Sequence, residues 1–259
     1  MRRLILREPV ARSAVWALRL AAFAAATAIV AIVISRARAA DPVAAMVVFS
    51  ASVTIATFAG LLAVSAGAVI WREGLRGAGQ ASLAFVLVAS VISYPAYLMV
   101  LAFALPPIHD VSTDLRSPPA FLLSAKARQA RTGHISFALS EETQAEQRAA
   151  YPDIGPIMLE MDSTGAYQLA LSVAGDLGWR VVDSAPPNLA GDGAAAIEAT
   201  DRSLFFGFVD DIAIRIRPGA TQTIVDVRSV SRVSRHDFGA NARRVRNFIA
   251  AMEEAARER

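Results

Sequence analysis

Three sets of residues in this chain have the types that chemistry requires, and all of them fall between positions 210 and 246. Asp210 and Asp211 are adjacent carboxylates, the kind of pair that performs general acid–base work when both reach one substrate. Ser229 and His236, taken with Asp210, have the composition of an acyl-transfer triad. Arg232, Arg235, Arg243, Arg244 and Arg246 gather around the start of a closing helix, whereas Glu253, Glu254 and Glu258 stand at its end. That order opposes the helix dipole, which favours acids at the start and bases at the end, so something must compensate it.

Local structure discriminates among these sets. Neighbouring residues on a strand point to opposite faces, so Asp210 and Asp211 cannot share a substrate or a metal ion. No GxSxG elbow or comparable activating context surrounds Ser229, which argues against the triad. His109 and His134 lack metal-ligand spacing, and no metal site or cofactor is expected. The arginines admit two accounts. In the first they pair within the domain, with Asp153, Asp210, Asp237 or the carboxylates of the arm at 109–156. In the second, Arg232, Arg235, Arg243 and Arg244 form an anion site in which guanidinium forks and helix N–H groups hold a phosphate or carboxylate.

The element that carries these residues is a β-hairpin. Phe208, Asp210, Ile212, Ile214 and Ile216 alternate with Asp211, Ala213, Arg215 and Arg217, and the first set reads as core-facing. Pro218, Gly219, Ala220 and Thr221 supply turn chemistry. The return strand puts Thr223, Val225 and Val227 inward and Asp226 and Arg228 outward. A turn centred on Gly219 and Ala220 sets Asp211 opposite Arg228, Arg215 diagonal to Asp226, and Asp210 opposite Ser229. Ionic pairs at such offsets stabilise a sheet by roughly 0.2–1 kcal/mol each. Asp210, on the inner face, needs hydrogen-bond donors, and Ser229 or Ser231 is placed to supply one.

Composition sets the wider frame. Hydrophobic residues make up 54% of the 259 and charged residues only 19%, with the apolar residues concentrated in the first 108, a pattern typical of membrane proteins. Spans are expected at about 14–35, 43–70 and 81–108, each long enough to cross a ~30 Å hydrocarbon core. The first could instead be a signal peptide ending at Ala37-Arg38-Ala39; the arginine beside that site and the length of the apolar run favour retention. Arg72 and Arg76 fall on the same side as the N-terminal arginines, with Arg36 and Arg38 on the other. That bias puts the N-terminus in the cytoplasm and the C-terminal part outside. The two later spans contain no charged residue, which argues against an ion path. Ala59, Ala63 and Gly67, at four-residue spacing, allow close helix contact.

Past residue 109 there are 17 Lys and Arg against 20 Asp and Glu. This part is mildly acidic and gives no support to nucleic-acid binding. Cysteine is absent from the whole chain, which excludes disulfides and thiol chemistry. Residues 109–156 read as an extended arm. The domain at 157–259 begins with a helix from about Ser163 to Leu177, capped by Asp162 or Ser163 and stopped by Gly178. Strands follow at 179–183 and 195–200, then the hairpin. The closing helix is capped by Asp237 and has an apolar stripe of Phe238, Ala242, Val245, Ile249 and Met252. The expected class is α+β: three N-terminal transmembrane helices, then a soluble domain whose four-stranded antiparallel sheet is covered by helices on one face.

The run DVRSVSRVSRHDFGANARRV at 226–245, GFVDDIAIRI at 207–216, AYPDIGP at 150–156 and the Gly178-Trp179 pair resemble the bacterial family known as domain of unknown function 1499. The resemblance runs from about Ile108 to the C-terminus, and the three-span anchor resembles one carried by membrane-bound members. Ser234 stands where the family has a glycine. The family implies no activity.

The expected function is therefore that of a binding or assembly module anchored in the bacterial inner membrane, with its C-terminal domain in the periplasm. Its expected partners are the bilayer and another envelope protein or an anionic lipid headgroup. A hydrolase acting on an envelope substrate is the competing expectation.

Overall fold

The computed structural model describes residues 9–121, 139–188, 193–233 and 236–258. The chain forms two compact units. The first is Met1–Val100 together with Leu204–Gly207; the second is Leu101–Ser203 with Phe208–Arg259.

The first unit is built from α1 (Arg12–Arg36), α2 (Pro42–Glu73) and α3 (Ala78–Ala104). All three helices are long and apolar enough to cross a membrane, with mean hydropathy of 2.3, 2.1 and 2.1 over their most apolar windows. Asp41 caps α2 by accepting from the N–H groups of Val43 and Ala44, and Gly74 ends it in the left-handed conformation at φ 68°. Pro95 is accommodated inside α3.

The buried residues of α1 are Ala14, Ala17, Ala21, Ala24, Ala28, Ala31 and Ser35; those of α2 are Ala45, Phe49, Ser52, Ala56, Ala59, Ala63 and Ala66. Both sets step alternately by three and four residues, the heptad spacing of a left-handed supercoil. Ala11 and Ala14 cluster with Ala66, and Ala17 and Ala21 with Ala59 and Ala63, so the two helices run antiparallel. The methyl side chains allow the close backbone approach that takes the place of a hydrophobic driving force in lipid. Gly67 is exposed. The close-contact line expected through Ala59, Ala63 and Gly67 follows the heptad to Ala66 instead.

The second unit is an antiparallel sheet with helices. Its elements are β1 (Asp110–Ser112), α4 (Glu141–Ala150), β2 (Ile157–Leu159), α5 (Ser163–Asp176), β3 (Arg180–Ala185), β4 (Ala195–Arg202), β5 (Val209–Pro218), β6 (Thr223–Ser231) and α6 (Ala240–Arg257). Strand order is β1-β6-β5-β4-β3, and β2 also pairs with β6. The sheet has six strands rather than four. Strands β1 and β2 have three residues each, too few to show alternation in sequence, and they exist because β6 offers them a free edge. The expected arm thus contributes β1 and α4. Gln147 of α4 extends the edge by side chain: its Oε1 accepts from Ser112 N–H at 3.1 Å, and its Nε2 donates to Ser112 C=O at 2.7 Å.

One face of the sheet presents Ile197, Ile212, Ile214, Ile216, Val225 and Val227 to α5 and α6. Those helices answer with Leu169, Ala170, Val173, Val245, Phe248 and Met252. Asp162 caps α5 through Gly165 N–H, and Trp179 stacks on Phe248 at 5.2 Å between ring centres. Of the inward set expected for the hairpin, Ile212, Ile214, Ile216, Val225 and Val227 lie in this core, whereas Phe208 precedes β5 and is not part of it.

Its register differs by two residues. Arg215 lies directly opposite Asp226, Asp211 opposite Val230, Arg228 opposite Ala213, and Asp210 opposite Ser231. The turn closes over residues 219–222, with Gly219 N–H donating to Gln222 C=O at 2.8 Å. A slip of two keeps every side chain on its face, because the strand period is two, while changing every partner. Asp211 and Arg228 are accordingly not opposite each other.

The opposite face, which carries the residues expected to point outward, is covered at its centre. Asp211, Asp226 and Arg228 are all fully buried. The chain following β1 crosses this face: Phe121 packs on Ala213 and Val230, and Pro119 C=O accepts from Arg228.

Candidate functional site

A buried polar cluster lies where β4, β5 and β6 meet the first turns of α6. Asp201 and Asp210 are directly opposed across β4 and β5. Ser229 and Ser231 project from the same face of β6, and α6 contributes Asn241 and Arg244, three residues apart and hence on one side of the helix.

Arg244 organises the cluster. Its Nε donates to Asp201 Oδ2 at 2.8 Å, its Nη2 to Asp210 Oδ2 at 2.7 Å, and its Nη1 to Ser229 Oγ at 3.0 Å and Asn241 Oδ1 at 2.7 Å. Ser229 in turn donates to Asn241 Oδ1 at 2.7 Å. Asn241 Nδ2 donates to Ser231 Oγ at 2.9 Å and to the His109 carbonyl at 3.0 Å. Asp210 is 5% exposed and Asn241 and Ser229 are fully buried. Burial raises the Asp210 pKa above the usual carboxylate value, against the lowering effect of Arg244 and of the hydrogen bond from Ser231; the neighbouring Asp201 charge adds to the rise. Ser231 is thus the donor that the inner-face carboxylate requires.

This arrangement does not activate a nucleophile. The Ser229 hydroxyl hydrogen points to an amide oxygen, which is no base, and its oxygen accepts from a guanidinium. His236 Nδ1 accepts from Phe238 N–H at 3.0 Å, and its ring stacks on Phe238. Among the described residues no group of three His, Asp or Glu side chains is disposed to hold a metal ion.

The remaining predicted residues separate into two groups. On the opposite face of the sheet, Asp226 accepts from Arg215 at 2.8 Å and from Arg217 at 2.8 Å, and Asp114 accepts from Arg215 at 3.0 Å. Arg228 forms a two-pronged pair with Asp110 at 2.9 and 2.6 Å, its guanidinium 5.6 Å from the Phe121 ring centre. Arg232 makes the same kind of fork to Asp211, at 2.9 and 2.8 Å. Asp237, at the start of α6, accepts from the N–H groups of Gly239 and Asn241 at 2.8 and 2.7 Å. A carboxylate of the chain itself therefore meets the helix dipole that the arginines oppose.

Of the four arginines proposed to bind an anion, Arg232 and Arg244 are thus engaged by internal carboxylates, and Arg235 lies outside the described residues. Arg243 is exposed and makes no ion pair among the described residues. One turn on, exposed Arg246 pairs with Asp153 at 2.6 Å and lies 5.1 Å from the Tyr151 ring centre. The hydrogen bond from Arg246 holds the Asp153 pKa below the usual carboxylate value and raises that of Arg246. Burial, followed by the Asp237 charge, raises the Tyr151 pKa, with Arg246 and Arg243 opposing.

Sequence reasoning did not single out Asp110, Asp114, Asp201 or Asn241. The three-residue spacing of Asn241 and Arg244, inside the run DFGANARRV, was the available signal. The aspartates became partners only through strand pairing.

The family described as Protein of unknown function (DUF1499) matches residues 110–252. That span contains all six described strands and the side chains of the cluster. The chain belongs to the DUF1499 family. No curated protein matches it. The resemblance expected from the motifs at 150–156, 207–216 and 226–245 is therefore borne out, and the Asp210–Arg244 cluster lies within the DUF1499 domain. An open cleft of about 530 Å³ in the same domain is lined by residues 161–164, Gly193 and 218–223, apart from the cluster.

Proposed function

We propose that this DUF1499 protein is a binding or assembly module anchored in the bacterial inner membrane, with its N-terminus in the cytoplasm and its α+β domain in the periplasm. Another envelope protein is the proposed partner. The supporting observation is that the side chains equipped for chemistry satisfy one another. All three Arg244 nitrogens are used by Asp201, Asp210, Ser229 and Asn241, which leaves a rigid scaffold in place of a poised catalytic group. The arginine bias across the spans supports the orientation. Recognition of an anionic group falls to exposed Arg243, because Arg232, Arg244 and Arg246 are engaged by Asp211, by Asp201 and Asp210, and by Asp153.

A fusion of alkaline phosphatase to the C-terminus tests the orientation. An active enzyme is expected, and an inactive fusion at equal expression refutes it. Cross-linking in cells, followed by detergent purification, is expected to retain an envelope partner that Arg243→Glu releases. Recovery of the chain alone refutes the assembly reading. Hydrolysis of an envelope substrate that Ser229→Ala abolishes in a folded protein replaces that reading with the hydrolase one.

A further inference from the structure

Leu204–Gly207 belong to the helical unit, although the residues before and after them belong to the α+β unit. Their seats are specific. Ser35, in the last turn of α1, donates its Oγ hydrogen to the Phe206 carbonyl at 2.6 Å. The Phe206 ring meets Phe49 of α2 edge-on at 5.4 Å between ring centres, and Phe49 meets Tyr94 of α3 in the same manner at 6.3 Å. Phe205 lies against Tyr94 at 3.9 Å. Phe206 is 5% exposed, whereas Leu204 beside it is 78% exposed.

Helix rise converts these seats into depth. Phe49 is about 12 Å along the axis from Asp41, and Tyr94 about 15 Å from the end of α3 at Ala104. The interfacial layer on each side of a bilayer is only about 5–8 Å thick, so with Asp41 and Ala104 at its outer edge both rings lie at the level of the outer acyl-chain segments. The loop residues that touch them lie at the same level. The surrounding helix surface agrees: Val47, Tyr97 and Val100 are exposed at 64%, 54% and 65%. The described part of the loop has no charge between Arg202 and Asp210.

We propose that the connection between β4 and β5 is a membrane-inserting loop, its two phenylalanines seated on the helices and Leu204 in contact with lipid acyl chains. The inference rests on the helices being embedded in a bilayer, and the test separates the two. The chain has no cysteine, so Leu204→Cys, Leu61→Cys in mid-α2 and Met158→Cys on β2 each take a single spin label in the full-length protein reconstituted into phosphatidylcholine vesicles. Collision with oxygen and with a water-soluble nickel chelate reports the surroundings of each label. Labels at 204 and 61 are expected to collide several-fold more with oxygen than with the chelate, and the label at 158 to show the reverse. Water access at 204 with lipid access at 61 overturns the loop inference alone. Shielding from both probes at 204 places Leu204 inside protein and also overturns it. Water access at 61 removes the membrane reading and the loop inference with it.

Discussion

Arg244→Met is the most informative single change in this protein. It removes one guanidinium and leaves three demands behind: a buried carboxylate at Asp210, a half-exposed one at Asp201, and the acceptor oxygens of Ser229 and Asn241. Loss of one partner of a buried pair costs about 3–5 kcal/mol, because the remaining charge stays out of water. The Asp201 contribution is small, since that side chain is 31% exposed and solvent screens it. A domain stable by 5–15 kcal/mol loses a large part of its margin. The companion change Asp210→Asn removes the stranded charge, so Arg244→Met with Asp210→Asn is expected to cost less than the two single changes combined. The pH dependence has a definite sign. Burial raises the Asp210 pKa in the folded state, so the folded state binds that proton more tightly than the unfolded chain. Stability is then favoured at low pH and lost as pH rises through the carboxylate range. Without Arg244 the rise is larger, so the deficit of Arg244→Met is expected to be greatest at neutral pH and to shrink as pH falls toward the ordinary carboxylate range. Chemical denaturation of the full-length protein in detergent, with Trp16 and Trp71 replaced by Phe so that Trp179 reports, measures all of this. A neutral-pH loss under about 1 kcal/mol, or strict additivity with Asp210→Asn, would refute the reasoning.

Three further changes probe separate parts of the structure. Gly239 has φ 75°, and an added Cβ would lie 2.8 Å from Leu105 Cδ1, so Gly239→Ala is expected to cost about 1–2 kcal/mol, chiefly from the left-handed backbone. The same denaturation assay reads it. Asp153→Asn breaks an exposed pair and is expected to cost at most about 1 kcal/mol. Because the Asp153 pKa is lowered in the folded state, that difference is present at neutral pH and disappears as pH falls through the carboxylate range. Ala59→Leu forces a larger side chain into the fully buried seam beside Ala17, Ala21 and Ala63, and a loss of about 1–3 kcal/mol is expected, seen as a lower melting temperature of the helical unit in detergent.

Some of this protein could be read from its residues in order, and the division has a physical cause. The three apolar helices, the hairpin, the inward set of Ile212, Ile214, Ile216, Val225 and Val227, and the cap at Asp162 follow from periodicity and local chemistry, which act over a few residues. The family match was legible for the same reason, as contiguous motifs. Partner identity was not. Asp211 pairs with Arg232, and Arg228 with Asp110, because the turn sits one residue later than expected, which shifts the register by two, and because β1, 118 residues away in sequence from Arg228, supplies the carboxylate. The second face of the sheet is buried because a segment without periodicity crosses it. Asp201 and Asp210 became neighbours through pairing of β4 with β5, and Arg244 could serve both only once α6 had packed on the sheet. A one-dimensional pattern fixes which way a side chain faces; only the folded chain decides what it meets there.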